Sequence, residues 1–146
     1  MRTIAFQRLH ADARIPTRAH PDDAGFDLHA VEAARIASGQ RVAIGCGFAM
    51  ALPDGTAGLV VPRSGLALRD GVTVLNGPGL IDAGYRGEVK VVLVNHDPDH
   101  ELAIEPGDRI GQLVVIDLPA VGFEEAPRLP ESRRGVGGFG STGVGT

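Results

Sequence analysis

Apolar and polar positions follow one another in short blocks along the 146-residue chain, and the blocks have the length of β-strands. Strand-like runs cover 3–9, 25–31, 40–52, 57–62, 72–76, 87–95, 108–118 and 121–126. Between them stand turn signals: PDDAG, PDG, RDG, NGPG, NHDPD and EPGD. Only SGLALRD, 64–70, carries a helical pattern, about two turns long. In GEVKVVLVN, 87–95, the period is two. Glu88, Lys90 and Val92 share one face, and Val89, Val91 and Leu93 share the other. Leu75–Asn76, the NGPG loop and Leu80–Ile81 together predict a hairpin whose tip lies beside that strand. Its backbone N–H and C=O groups could read the edge of a flat heterocycle. The pattern predicts an all-β fold, a jelly-roll-like barrel or sandwich with one short helix, formed by a single domain over 1–132. The last segment, RRGVGGFGSTGVGT over 133–146, has no pattern able to bury a core. It predicts an arm that orders only around a ligand.

Composition narrows the chemistry. Hydrophobic residues make up 43% of the chain, enough for a core, while aromatics are only 4%, so the single tyrosine and the phenylalanine of the arm stand out. A net charge of −4 argues against a nucleic-acid polymer as partner. Small anions remain open through local arginines, since all but one of the 14 basic residues are Arg and the exception is Lys90. One cysteine, Cys46, allows no internal disulfide, and no Cys/His spacing suits a metal. No apolar run reaches the ~18 residues of a membrane span, and nothing resembles a leader peptide. The expectation is a cytoplasmic protein with no membrane association.

Several short stretches can carry chemistry. DAGFDLHA, 23–30, offers two carboxylates about a glycine turn: Asp23 suits the turn itself, and Asp27 projects from the next strand. PRSGLALRDG, 62–71, puts Arg63, Ser64 and Gly65 at a strand-to-helix junction. Free N–H groups, a guanidinium and a hydroxyl there make either a phosphate cradle or an ordinary helix cap. In GLIDAGYRGEVKV, Asp82 follows a tight turn in an apolar context, as a general base would, with Tyr85 as core filler or ring platform. In GDRIGQLVV, Arg109 suits a structural ion pair, and Gln112 is a polar side chain that needs a partner.

In this order, DAGFDLHA, PRSGLA, NGPGLIDAGYRGEVKV, GDRIGQLV and RGVGGFGSTG resemble the five motifs of the trimeric dUTP pyrophosphatase (dUTPase) family, spanning 23–143. Phe26 stands where Tyr is commoner in that family, Gly111 where Ala is usual and Arg69 where Lys is frequent. The resemblance implies a homotrimer with shared active sites that hydrolyses dUTP to dUMP and pyrophosphate with Mg²⁺. It implies Asp82 as the base that activates water, and Tyr85 beneath the deoxyribose. Asn76, Leu80 and Ile81 would read uracil, with Lys90 facing the nucleotide. Arg63, Ser64, Gly65 and Gln112 would hold the phosphates, and Asp27 a water of the metal. In the arm, Arg134, Gly140, Ser141 and Thr142 would grip the triphosphate while Phe139 stacks on the base. The alternatives are a dCTP deaminase-type enzyme of the same fold and a non-catalytic nucleotide-binding trimer.

Overall fold

The computed structural model describes residues 2–138. Ten strands and one helix follow in the order β1 (Ala5–Arg8), β2 (Phe26–His29), β3 (Ala34–Ile36), β4 (Arg41–Ala51), β5 (Thr56–Val61), α1 (Ser64–Asp70), β6 (Val72–Val74), β7 (Gly79–Asp82), β8 (Glu88–Asn95), β9 (Leu102–Ile104) and β10 (Arg109–Asp117). They form one antiparallel sheet in the order β1-β4-β8-β6, a second in the order β2-β10-β5-β7, and a ribbon of β3 with β9. Ile44, Phe48, Val89, Val91 and Leu93 of the first sheet meet Leu28, Val60, Ile110 and Leu113 of the second in one core. The sheets approach closely at Gly111, where a Cβ would lie 3.3 Å from Val91. Phe6 stacks on Phe48 at 5.0 Å between ring centres. The two-period reading of β8 holds: Val89, Val91 and Leu93 are buried, Lys90 is exposed and Glu88 half-buried.

Three sequence expectations need correction. The hairpin over Leu75–Ile81 is not a hairpin, because β6 pairs with β8 and β7 pairs with β5. The turn between them carries the chain from one sheet to the other and contains a cis Gly77–Pro78 bond. The strand expected at 121–126 does not form. Val121 and Phe123 are exposed, and the segment finds no ladder partner among the described residues. Strand propensity without an edge to pair against gives no strand. Conversely, β3 and β9 are only three residues each, too short to announce themselves by period, and exist because they pair with one another.

α1 ends where Gly71 turns left-handed at φ 61° and its N–H reaches the Leu66 carbonyl. The Gly71 carbonyl then accepts the His96 N–H, and a Cβ there would lie 3.1 Å from the Asp97 nitrogen. Asn95, at the end of β8, is 1% exposed. Its Nδ2 donates to the carbonyls of Ile36 and His100, both at 2.8 Å, and its Oδ1 accepts the Asp97 N–H at 2.9 Å. One amide thus ties β8 to β3 and to the loop that enters β9. Asn95→Ala leaves two carbonyls and one N–H unpaired around a small cavity and should destabilise the fold by about 3 kcal/mol. Urea denaturation of the two proteins measures the difference.

Candidate active site

The sequence-selected residues fall into two groups on the second sheet and its neighbours. The first lines a polar cavity of about 130 Å³ formed by Ala19, Asp23, Gly25, Asp27, Arg63, Ser64, Gly65, Arg109 and Gln112. Strand pairing assembles it, since Asp27 of β2 stands opposite Gln112 of β10, which stands opposite Val61 at the end of β5. Asp23 serves its turn, accepting the His20 N–H at 2.8 Å. Gln112 lies against Gly25, where a Cβ would come within 3.2 Å of it. The helix that begins here has Arg63 at its N-cap and no side-chain cap bond, so Ser64 does not serve as a conventional cap. The uncapped N–H groups of its first turn favour an anion.

Two guanidiniums, Arg63 and Arg109, and two carboxylates, Asp23 and Asp27, line this cavity. Arg63 donates to the Arg109 carbonyl at 2.9 Å, and Arg109 meets the Asp27 carboxylate at 3.4 Å. The ion pair expected of Arg109 is therefore present, and its partner is the carboxylate singled out as a metal-water ligand. Partial burial, followed by the charge of Arg109, lowers the pKa of Arg63. A bound anion would favour the charged form and so oppose both effects. His29, opposite Arg109 in the strand ladder, lies behind this cluster, and its Nδ1 is buried without a partner among the described residues.

The second group lines a cavity of about 220 Å³ made by Leu80, Ile81, Asp82, Tyr85, Glu88, Val89 and Lys90. Asp82 ends β7 with its side chain exposed, and its carbonyl accepts the Tyr85 N–H at 3.0 Å. Tyr85, 46% exposed, is not core filler. Its Oη donates to the Glu88 carbonyl at 3.0 Å, and the ring lies over Gly87, where a Cβ would stand 2.4 Å from Oη. Asn76 is exposed in the turn before β7, and its amide group packs over Gly79. Gly87 and Glu88 were not singled out from the sequence. Glycine beside the lone tyrosine was the only available signal.

The two groups are not brought together within one chain. Asp82 pairs with Ala57, four residues along β5 from the Val61 that faces Gln112, and three strand spacings separate β7 from β2. Asp82 and Asp27 therefore lie about 20 Å apart along the sheet. Arg134 lines neither cavity. Its Nε donates to the Gly137 carbonyl at 2.8 Å in a local turn. Phe139, Gly140, Ser141 and Thr142 lie outside the described residues.

The dUTPase family model matches residues 11–143. The chain belongs to the dUTPase family. It is 52% identical over 140 residues to the deoxyuridine 5'-triphosphate nucleotidohydrolase of Nocardia farcinica, covering 96% of this chain and 85% of that one. It is 53% identical to the enzyme of that name from Corynebacterium glutamicum, covering 96% and 94%. Among solved structures, the Staphylococcus bacteriophage 80alpha dUTPase with dUPNHPP superposes with a TM-score of 0.90 at 28% identity, over 99% of this chain and 100% of that one. The protein is accordingly a dUTP nucleotidohydrolase that converts dUTP to dUMP. The family sets aside the deaminase and non-catalytic alternatives. No helix among the described residues is long and apolar enough to cross a membrane.

Burial, followed by the charge of Arg14, pulls the His29 pKa below its usual 6.5, with Asp27 opposing. The unfolded chain then binds the proton more readily than the folded one. Stability is fully present above about pH 6.5 and is lost as pH falls through the lower folded value. Melting temperature followed against pH should fall less steeply below about pH 6.5 in His29→Gln than in the parent.

Proposed function

We propose that Asp82 is the general base of dUTP hydrolysis, in a site completed by neighbouring chains of a homotrimer. The observation that carries this reading is the separation of Asp82 from the anion-binding groups. A base for the attacking water and the holders of the same phosphate chain must converge on one phosphorus. One chain keeps them about 20 Å apart, so the two halves meet only between chains.

In this reading Asp82 takes a proton from water as the water oxygen bonds to the α-phosphorus. The bond from that phosphorus to the bridging oxygen breaks, and pyrophosphate leaves. Tyr85 packs beneath the deoxyribose and leaves no room for a 2′-hydroxyl. Asn76 and the backbone of Leu80 and Ile81 read the uracil edge. Cytosine would leave those groups unpaired. Lys90 faces the nucleotide from β8. A neighbouring chain contributes Arg63, Ser64, Gly65 and Gln112 to the phosphates.

The donor set also suits Mg²⁺. Among the described residues no three metal-ligating side chains gather into a cage. A small hard cation that keeps its waters and lies on the phosphates needs only an adjacent carboxylate. Asp27, paired with Arg109, would hold one of those waters, and the ion when bound would supply charge neutralisation on the leaving pyrophosphate. The arm over 133–146 closes on the bound nucleotide through Arg134, Gly140, Ser141 and Thr142, with Phe139 on the base. The cellular consequence is low dUTP, which keeps uracil out of DNA and supplies dUMP for thymidylate synthesis, in the cytoplasm where nucleotide pools lie.

Two experiments test the reading. Asp82→Asn and Arg63→Ala should each lose at least about a hundredfold in kcat. Denatured together and refolded as mixed trimers, the two inactive proteins should recover part of the activity. Absence of recovery in mixed trimers identified by native mass spectrometry would place a whole site in each chain. Deletion of 133–146 should leave the melting temperature unchanged while turnover drops strongly. An unaltered rate removes the arm from the site.

A further inference from the structure

β4 and β8 form the longest pairing of the first sheet, and it is interrupted beside the second cavity. Lys90 stands opposite Gly45, and Glu88 stands opposite Ala49. Cys46, Gly47 and Phe48 therefore face Val89 alone, and the ladder lacks partners across this bulge. Gly47, at φ 70°, turns its N–H out of the ladder. That N–H is taken up by the side chain of Glu88, whose Oε1 accepts it at 2.9 Å. The carboxylate has room only because residue 45 is glycine: a Cβ there would stand 2.4 Å from Oε1. Its second oxygen, Oε2, meets the Lys90 ammonium at 3.5 Å. Its own main-chain carbonyl is the acceptor for Tyr85 Oη.

We propose that Glu88 is a positioning residue for the sugar-reading tyrosine. Its side chain bridges the β4 bulge, and this fixes the Glu88 main chain to which Tyr85 is hydrogen-bonded. The inference rests on the reading of Tyr85 as the residue that excludes a 2′-hydroxyl. Tyr85 is 46% exposed, its ring lies over Gly87 and its hydroxyl is held by the Glu88 carbonyl, so the placement of the ring follows the 87–88 backbone. The normal source of rigidity for a strand start is its ladder, and here the ladder is broken between the Glu88 and Lys90 rungs. The Glu88 carboxylate replaces the missing rungs and holds Lys90 against the same cavity.

The test is the ratio of kcat/KM for dUTP to that for UTP, which a general loss of stability does not move. Glu88→Ala removes the bridge and should lower the ratio by about tenfold, the scale of a small misplacement of a contact group. Glu88→Gln keeps an oxygen able to accept the Gly47 N–H and should hold the ratio near that of the parent. If the alanine variant does not fold, Glu88→Asp replaces it, being one methylene too short for the bridge, with the same fall expected. Tyr85→Ala is the reference. A lowered ratio in Tyr85→Ala with an unchanged ratio in the Glu88 variant overturns the positioning role alone. Unchanged ratios in both overturn the reading of Tyr85, and the proposal with it.

Discussion

β5 is hydrogen-bonded along both edges, to β10 on one side and β7 on the other, and these two ladders set the distance between Asp82 and the cavity around Arg63 and Asp27. Val61, at one end, brings Gln112 and Asp27 into line beside Arg63. Ala57, near the other end, fixes Asp82. A strand cannot contract, and a one-residue slip would turn every side chain to the opposite face. The separation of Asp82 from Asp27, Arg63 and Gln112 is thus as rigid as the sheet. In the proposed arrangement a second copy completes the chemistry, and the register of one six-residue strand sets where each half of the site would stand.

The polar side of the molecule follows from the same pairing. Two guanidiniums, Arg63 and Arg109, are drawn together where three strands end, with the Asp27 carboxylate between them as partial compensation. The two guanidiniums repel one another here, and in the proposed function the phosphates would add negative charge beside them. Asp82, by contrast, ends its strand exposed to water, free to meet a substrate delivered from elsewhere. In the proposed function the crowded cavity of paired charges serves binding and the open carboxylate serves chemistry.

Much of this was legible in the sequence. The alternating run of 87–95 announced β8, because burial on one face leaves a period-two trace, and strand-like runs bounded by turn signals announced β4 and β10. The motifs also named many of the residues that line the two cavities, because glycine turns and charged side chains at strand ends are local features. What was not legible depended on pairing across distance. β3 and β9 exist only through each other. The Leu75–Ile81 segment looks like a hairpin locally, yet its two arms join different sheets. The 121–126 run has strand composition but no edge to use. Glu88 gave no signal either, since its role lies in a bulge 41 residues away in sequence.

That bulge also isolates the only cysteine. Cys46 sits between Gly45 and Gly47, 1% exposed, and burial, then the charge of Glu88, pushes its thiol up to about 12. Thiolate is the reactive form, so at neutral pH this sulfur neither alkylates nor oxidises readily. The native chain therefore behaves toward thiol reagents as though it had no cysteine. A cysteine introduced at any surface position would be the single reactive handle, ready for a fluorophore or spin label without first removing the natural one.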